Sequence, residues 1–381
     1  MRSGIIAAGN WLIDHVKLID QWPPQDGLAH ILGRTAGNGG GPYNVLKDLA
    51  KLRAAFPLEA IGLTGDDADG RAIRADAAAH GIDTAQLQVT PAAATSYTDV
   101  MTVRSDGRRT FFHDPGANAL LAPEHFDFTR TRARRFHLAY LLLLDTLDAP
   151  GADGKPRSLE VLRRARAAGL RTSVDCVSAR PHLYEKVVAP ALPETDVLFA
   201  NDFEAEQLTG LTLGRGETLD RGAVEAAARR LIARGVREWA LIHFPEGVCA
   251  CSAQGEMIWQ ASVQIPAPEI VGAVGAGDAL AAGVLFGLHE EWPMPRSLEL
   301  GVCTAAASLR DGTCSNAVAP ANDCLALGRR QIGALAQHLG WHAGDRELRW
   351  LRQCRRGWRC GAVQHCAQRF FGHAAQRYQQ L

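Results

Sequence analysis

The stretch IVGAVGAGDALAAGVLFGL, residues 270–288, decides how the rest of this sequence is interpreted. A Gly-Ala-Gly turn at 275–277 precedes Asp278 and a long apolar run, which predicts a glycine turn that leads into a helix. Backbone amides at the start of a helix bind anions, because they point outward at the positive end of the helix dipole. A purely structural alternative is that Asp278 only caps the helix. A dinucleotide-binding turn is a second alternative, which the order G-x-x-G-x-G and the late position in the chain disfavour.

Length, composition and cysteine use are typical of a globular enzyme of the cytoplasm. The chain has 381 residues, of which 47% are hydrophobic and 22% charged, and this excludes a fibre or a disordered protein. The N-terminus has one arginine and a short apolar run that soon reaches polar Asn10, so neither a signal peptide nor a membrane-spanning helix is expected. Nine cysteines, an odd number without paired spacing, indicate reduced thiols. We therefore expect a cytoplasmic location and no membrane partner.

The charge of the chain is uneven along its length. Residues 329–381 hold ten arginines, no lysine and two acids, so this tail carries +8 and the rest of the chain carries −8. A body this acidic is not typical of a nucleic-acid binder, and no nucleic-acid partner is expected unless the tail supplies one. The tail stays unassigned, since a basic appendage and a read-through of non-native sequence are both open. A zinc site at Cys354, Cys360, His365 and Cys366 is disfavoured, because the spacing matches no standard ligand set.

Short apolar runs that end in Gly, Asn or Asp alternate with helical patterns through most of the sequence, as in GIIAAGN followed by VLKDLAKL. This alternation predicts βα units around a mainly parallel sheet, in which ligands bind at the carboxyl ends of the strands. Residues 11–36 and 95–113 break the rhythm with strand-like segments and a Ser-Asp-Gly turn, and we interpret them as a small β-rich lid. The expected fold is therefore an α/β protein with one domain at 1–328.

The turn at 275–278 resembles the GAGD signature of the ribokinase-like (PfkB) family of carbohydrate kinases. Other landmarks of that family follow in the same order along the chain: GNWLIDHV at 9–16, GNGGGPYNVLKDLAKL at 37–52, ANDFEAEQLTG at 200–210 and CTAAASLRDGTCSNAV at 303–318. The resemblance covers about residues 4–325. It implies a ribokinase-like three-layer α/β/α sandwich with a mainly parallel central sheet and a small β-rich lid.

The resemblance also implies an ATP-dependent phosphotransferase that acts on a hydroxyl of a small carbohydrate. Asp278 is then the general base that accepts the proton of the attacking hydroxyl. An ordinary carboxylate can do this, because little charge builds up on the nucleophile in a loose transition state. The anion hole for the transferring phosphoryl group is formed by the backbone amides of Gly275, Ala276 and Gly277.

Two further sets of residues follow from the resemblance. The substrate set comprises Asn10, Asp14, Gly40, Gly41 and Asn44, with Trp11 and Tyr43 beside them. The faces of these two aromatic residues could stack on a sugar ring or on a nucleobase. The set for ATP and Mg²⁺ comprises Asn201, Glu204, Gly247, Gly312 and Ala306. Mg²⁺ is expected to be held by ATP and by water that Glu204 orients, with no direct protein ligand. Asn201 and Glu204 also fit a helix capping box, and the two roles are compatible.

Departures from the family pattern leave alternatives open. Gly272 and Ala273 stand where the signature usually begins with Asp-Thr, which leaves open whether a monovalent cation such as K⁺ binds. The alternative functions are a nucleoside kinase of the same family and a non-catalytic sugar- or nucleotide-binding protein on this fold. A phosphorylated sugar would need a basic cluster, but Arg104, Arg108 and Arg109 lie around a lid turn and are expected to be solvated. Pairing through the lid, common in the family, implies a homodimer.

Overall fold

The computed structural model describes residues 2–105 and 107–328, and the arginine-rich tail with its four zinc-ligand candidates lies outside the described residues. The strands are β1 (Ile5–Gly9), β2 (Leu12–Ile19), β3 (Ile31–Gly39), β4 (Leu58–Gly65), β5 (Ile82–Thr90), β6 (Ser96–Val103), β7 (Arg109–Asp114), β8 (Arg135–Leu141), β9 (Arg171–Cys176), β10 (Val197–Asn201), β11 (Trp239–Phe244), β12 (Gly247–Ser252) and β13 (Met257–Ala261). The helices are α1 (Gly41–Lys51), α2 (Ala68–Ala79), α3 (Asp145–Asp148), α4 (Arg157–Ala167), α5 (Asp202–Thr209), α6 (Arg221–Ala233), α7 (Ala276–His289) and α8 (Met294–Ser308).

Nine of these strands form the central sheet, in the order β13-β12-β11-β10-β9-β8-β1-β4-β5. The strands from β11 to β5 in this order run parallel, and β12 and β13 add an antiparallel edge. Strands of a parallel sheet that is covered on both faces need continuous apolar runs, and all five residues of β1 are buried. The predicted α/β fold with a mainly parallel sheet is confirmed.

Two hydrophobic cores lie on opposite faces of the central sheet. Ile6 and Ala8 of β1 belong to the core that contains residues of α4, α5 and α6, whereas Ile5 and Ala7 belong to the core that contains residues of α1, α7 and α8. Successive side chains of a strand point to opposite faces, so the helices form a layer on each side. The result is a three-layer sandwich, and α7 lies on one face of the sheet.

Four strands form a second sheet, the lid sheet, in the order β3-β2-β6-β7. Strand β2 pairs parallel with β6 and antiparallel with β3, and β7 pairs antiparallel with β6. Because β2 begins only three residues after the last residue of β1, the lid sheet starts at the carboxyl end of that central strand. The predicted combination of an α/β/α sandwich with a smaller β-rich lid is confirmed.

No helix in the described ranges combines the length and the apolar character that a membrane span requires. The cytoplasmic location stays a prediction. The division into a domain at 1–328 and a tail also stays a prediction, because the tail lies outside the described residues.

Candidate active site

The candidate site begins at the glycine turn, which directly precedes α7 as predicted. Gly275 has a φ of 75°, in the left-handed region that favours glycine, and the helix begins at Ala276. The first amides of a helix have no carbonyl partner within the helix, so they can bind an anion. In this turn the Ala276 amide makes one long contact of 3.4 Å to the Ala273 carbonyl, which lies before the helix. Asp278 is the third residue of α7 and is 3% exposed. The N-cap is Gly275 and no side chain caps the helix. The alternative that Asp278 only caps the helix is therefore wrong.

Two hydrogen-bond donors hold the carboxylate of Asp278. Asn44 Nδ2 donates to Oδ2 at 2.8 Å, and the Tyr140 hydroxyl lies 2.7 Å from Oδ1 and 2.6 Å from Oδ2. Asn38 Nδ2 in turn donates to Asn44 Oδ1 at 2.7 Å, which fixes the orientation of that amide. Burial raises the pKa of Asp278 to about 6, and the bonds from Asn44 and Tyr140 partly oppose this rise. A carboxylate with this pKa and a fixed orientation can accept a proton from a hydroxyl.

Tyr140 is a site residue that the sequence analysis missed. It lies in β8, 138 residues before Asp278 in the sequence, and no motif marks it. Asn10 fixes the backbone beside it, because Asn10 Oδ1 accepts from the Tyr140 amide at 2.8 Å and Asn10 Nδ2 donates to the Leu143 carbonyl at 2.9 Å. Both polar ends of Asn10 thus bind main chain. We therefore assign Asn10 a positioning role, which differs from the predicted direct contact with substrate.

The glycines at the start of α1 are used for close packing inside the protein. A Cβ on Gly40 would collide with the carbonyl oxygen of Asn10, and a Cβ on Gly41 would collide with the side chain of Ala139. Only glycine lets the start of this helix approach the ends of β1 and β8 so closely. This use differs from the predicted approach of the two glycines to a sugar, and it brings Asn44 within reach of Asp278.

Trp11 and Tyr43 lie in the hydrophobic core. Trp11 is 0% and Tyr43 is 2% exposed, and their rings stack on each other with centroids 5.2 Å apart. Their polar atoms also have protein partners, since Trp11 Nε1 donates to the Ile61 carbonyl and the Tyr43 hydroxyl donates to Asp76. The prediction that these two rings stack on a sugar or a nucleobase is therefore wrong. Burial of both aromatic faces between strands and helices leaves no face for a ligand.

Asp14 connects the lid sheet to the glycine turn. Its side chain is buried, and the Cys314 thiol donates to Asp14 Oδ2 at 3.7 Å. Cys314 packs against the turn as well, because a Cβ on Gly275 would lie 2.6 Å from Cys314 Cβ. Burial raises the pKa of Asp14 to about 7, and the charge of Asp278 adds to this rise. Of the predicted residues, the structure therefore brings together Asp278, Asn44, Asp14 and the glycine turn.

His243 packs against the start of α7 and was not among the predicted residues. A Cβ on Gly277 would lie 3.4 Å from His243 Cε1, so the imidazole lies against the first turn of α7. Burial lowers the pKa of His243 to about 4, and the ring is therefore neutral near pH 7. Its place at the carboxyl end of β11 was the only signal in the sequence, and a lone histidine at a strand end is a weak one.

Buried acids lie near the predicted magnesium side of the site. Asn201 and Glu204 form the predicted capping box of α5, with reciprocal bonds of 2.9 Å between side chain and backbone. The ligand atoms of Asp175, Cys176 and Glu204 all lie within 4.8 Å of one another. Burial raises the pKa of Glu204 to about 7, and burial with the charge of Glu204 raises the pKa of Asp175. Two buried carboxyl groups with raised pKa values fit a hard divalent cation with oxygen ligands, such as Mg²⁺.

The remaining residues that were predicted to contact the nucleotide lie in three separate segments of the chain. Gly247 begins β12, where a Cβ would collide with the Gln260 carbonyl of β13. Ala306 is buried in α8. A Cβ on Gly312 would lie 3.9 Å from Val271, in the segment that leads to the glycine turn. Their contacts with ATP stay predictions.

Comparisons with known proteins agree with this architecture. The family model described as pfkB family carbohydrate kinase matches residues 8–322. The chain is similar to a 5-dehydro-2-deoxygluconokinase of Geobacillus kaustophilus, with 25% identity over 290 residues that cover 74% of this chain and 81% of the relative. It is similar in structure to an Arabidopsis thaliana ribokinase complexed with ribose and ATP (TM-score 0.69, 20% identity, 86% of this chain and 99% of that chain). A Methanocaldococcus jannaschii nucleoside kinase is also similar (TM-score 0.65, 15% identity, 86% of this chain and 98% of that chain). These two structural matches show the fold alone.

Proposed function

Because the chain belongs to the pfkB family of carbohydrate kinases, which are phosphotransferases that act on a sugar hydroxyl, we propose that it phosphorylates a small carbohydrate with ATP and that Asp278 is the general base. One observation carries the assignment of the base. Asp278 is buried, is oriented by Asn44 and Tyr140, and lies in the same first helical turn as the amides that follow Gly275.

In this proposal, Asp278 accepts the proton of the attacking hydroxyl while that oxygen bonds to the γ-phosphorus of ATP. Amides of residues 275–277 stabilise the negative charge on the transferring phosphoryl group, because they are oriented before the reaction begins. His243 packs against one side of the helix start, and its neutral ring adds no charge beside the phosphoryl group. Tyr140 and Asn44 hold the carboxylate in place. Exclusion of water by the lid sheet would suppress the hydrolysis of ATP.

We place ATP along the glycine turn, near Gly312 and the predicted contacts Gly247 and Ala306. Glu204 would hold Mg²⁺ through water, as predicted, and Asp175 would add a protein ligand that the sequence analysis did not include. When bound, Mg²⁺ neutralises charge on the phosphate oxygens of the nucleotide. Two buried carboxyl groups with raised pKa values support this site, because a cation would favour their ionised forms. Gly272 and Ala273 leave the binding of K⁺ open.

The proposed function is tested by ADP release with Mg²⁺ and ATP against a panel of aldoses, ketoses, polyols, sugar acids, phosphosugars and nucleosides. Sugar acids belong in the panel because the Geobacillus relative is named as a kinase of a gluconate derivative. We expect ADP release that depends on a carbohydrate. Turnover of nucleosides alone would favour a nucleoside kinase instead. Binding of ATP or a sugar without any turnover would favour the non-catalytic alternative.

The pH dependence of the reaction should report the pKa of Asp278. This carboxyl group must be ionised to accept a proton, so kcat/KM is expected to fall as the pH falls through about 6. An ordinary aspartate would place this decline near pH 4. Tyr140→Phe removes a hydrogen bond that favours the ionised form and should move the decline to higher pH.

The measurement is kcat/KM across the range from about pH 4 to about pH 8. Tyr184→Phe is the matched control, because Tyr184 is a buried tyrosine whose hydroxyl donates to the Val177 carbonyl, outside the contacts of Asp278. It should leave the midpoint of the decline unchanged. A wild-type midpoint near pH 4, or the same midpoint in Tyr140→Phe as in wild type, would speak against Asp278 as the base.

We also propose that two copies of the chain pair through their lid sheets. Trp22 is 50% and Phe112 is 52% exposed, and their rings stack with centroids 6.2 Å apart, which creates one apolar patch. Leu28 is 70% exposed in the loop that joins β2 to β3. Exposed apolar patches of this kind often form protein interfaces.

Sedimentation should therefore give about twice the chain mass of 41.0 kDa, and Phe112→Asp should give the monomer mass. Val89→Asp is the control, since Val89 is 45% exposed but lies in β5 of the central sheet. This control should stay dimeric. A wild-type monomer, or a Phe112→Asp protein that still dimerises as tightly as wild type, would refute pairing through this patch.

A further inference from the structure

The inner face of the lid sheet carries an arginine that the proposed mechanism does not use. In the pairing register, Asp14 of β2 lies opposite Thr98 of β6, which lies opposite His113 of β7. Side chains of directly paired residues share a face, and so do residues two or four apart on one strand. Arg109 is four residues before His113 and therefore lies on the same face. The contact of Asp14 with Cys314 shows that this inner face is turned toward the glycine turn.

Arg109 has no acidic partner in the described part of the chain. Its side chain is half-buried, and its Nη1 atom is buried without a hydrogen-bond partner among the described residues. The nearby ionisable group that would affect the pKa of Arg109 is the Cys314 thiol. Burial raises the pKa of this thiol so far that it stays neutral and cannot pair with the guanidinium. On the outer face, by contrast, Lys17 pairs with Asp99. The expectation that Arg109 is solvated at a lid turn is therefore wrong.

A buried guanidinium nitrogen without an acceptor is costly, unless a ligand supplies the acceptor. Two other inner-face atoms are also buried and without a partner in the described ranges, namely Thr102 Oγ1 and His113 Nε2. Burial lowers the pKa of His113, which leaves Arg109 as the charged group among these three. The inner face thus offers one cation and two uncharged polar atoms to a ligand. This pattern suits an anionic group that is attached to a hydroxylated chain.

We propose that the substrate is a sugar acid and that Arg109 binds its carboxylate on the inner face of the lid sheet. A carboxylate matches a single guanidinium, which can hold both oxygens with two parallel hydrogen bonds. Asp14 is on the same face and is available to the hydroxyls of the same molecule, while the reacting hydroxyl lies at Asp278. This inference rests on the proposed function and narrows its substrate class.

The test compares D-gluconate and other aldonic acids with neutral sugars of the same chain length and with phosphosugars, in wild type, Arg109→Gln and Arg109→Lys. Wild type should prefer the carboxylates. Arg109→Gln should raise KM for the acid about 100-fold, because a charge-assisted hydrogen bond is lost, with little change in kcat or in KM for ATP. Arg109→Lys keeps the charge and should recover part of the loss. Arg104→Gln, at an exposed position of the same lid turn, should change KM less than about threefold.

Three results would overturn the inference. They are equal use of neutral sugars and acids by wild type, a preference for phosphosugars over carboxylates, and an equal loss of activity toward acids and neutral sugars in Arg109→Gln. Each leaves the kinase function itself standing. If no compound is turned over, the proposed function fails instead, and calorimetric titration of D-gluconate still decides on the carboxylate site. Heat with wild type that disappears in Arg109→Gln would support the site, and no heat with wild type would reject it.

Discussion

Replacing Asp278 with asparagine is expected to lower kcat by about 10² to 10⁴-fold, the usual contribution of a general base. The substitution keeps the size of the side chain and one oxygen that can accept from the Tyr140 hydroxyl, so the site should keep its shape. What it removes is the atom that takes the proton. The measurement is kcat with saturating ATP and substrate, together with ATP binding, which should stay close to the wild-type value.

Asp148→Asn is the matched control for this experiment. Asp148 is a half-buried carboxyl whose pKa is also raised by burial to about 6, but it accepts a hydrogen bond from the Leu144 amide and has no contact with Asp278 among its described partners. Asparagine can keep that bond. We expect kcat of this variant within about threefold of wild type. If Asp278→Asn loses no more activity than Asp148→Asn, then Asp278 is not the base.

Gly275→Ala is expected to lower kcat about 100-fold or more and to destabilise the fold by about 1 to 3 kcal/mol. Gly275 has a φ of 75°, which an alanine adopts only with strain, and the new Cβ would lie 2.6 Å from Cys314 Cβ. Relief of this contact requires the turn to move. The amides that face the transferring phosphoryl group would then lose their alignment. The measurements are kcat and the free energy of unfolding in urea.

Gly81→Ala separates backbone strain from damage to the site. Gly81 has a φ of 72°, nearly the same as Gly275, but a Cβ there would meet nothing within 4 Å. It should cost about 1 to 2 kcal/mol of stability and leave kcat unchanged. A Gly275→Ala enzyme with the kcat of Gly81→Ala would show that the turn does not serve as the anion hole.

The glycine turn and the start of α7 follow from local rules, which explains why the sequence predicts them. A Gly-Ala-Gly run allows the left-handed residue at Gly275, and the apolar run after Asp278 can form only a buried helix in this context. The mainly parallel sheet follows from the alternation of apolar runs and helical patterns in the same way. Each of these signals lies within a short stretch of sequence. They can therefore be interpreted without knowing which distant residues are in contact.

The partners of Asp278 depend on distant contacts and could not be predicted. Tyr140 is brought to the carboxylate by the pairing of β8 with β1 and by its backbone amide, which donates to the side-chain oxygen of Asn10. The residues next to Tyr140 in the sequence do not indicate a functional site. Trp11 and Tyr43 failed as ligand contacts for a related reason. Aromatic residues beside a glycine segment can either contact a ligand or pack in the hydrophobic core. Which of the two occurs depends on how the strands and helices pack around them, and the sequence does not show this.

Arg109 illustrates the importance of strand register. In the sequence it belongs to a charged turn, where an exposed position is the reasonable expectation. The pairing of β6 with β7 places it on the face that carries Thr98 and His113, and its side chain is half-buried there. A shift of one residue would have turned it to solvent. The side of a strand on which a residue lies thus decides whether its charge is available to a substrate.

The central claim is that this chain transfers the γ-phosphate of ATP to a carbohydrate hydroxyl with Asp278 as base. The most direct test is ³¹P NMR of the reaction with the preferred substrate of the panel, in wild type and in Asp278→Asn. We predict that wild type forms one phosphate ester for each ADP, and that Asp278→Asn forms neither at a comparable rate. Release of ADP with inorganic phosphate and no ester, or an undiminished rate of ester formation in Asp278→Asn, would contradict the account.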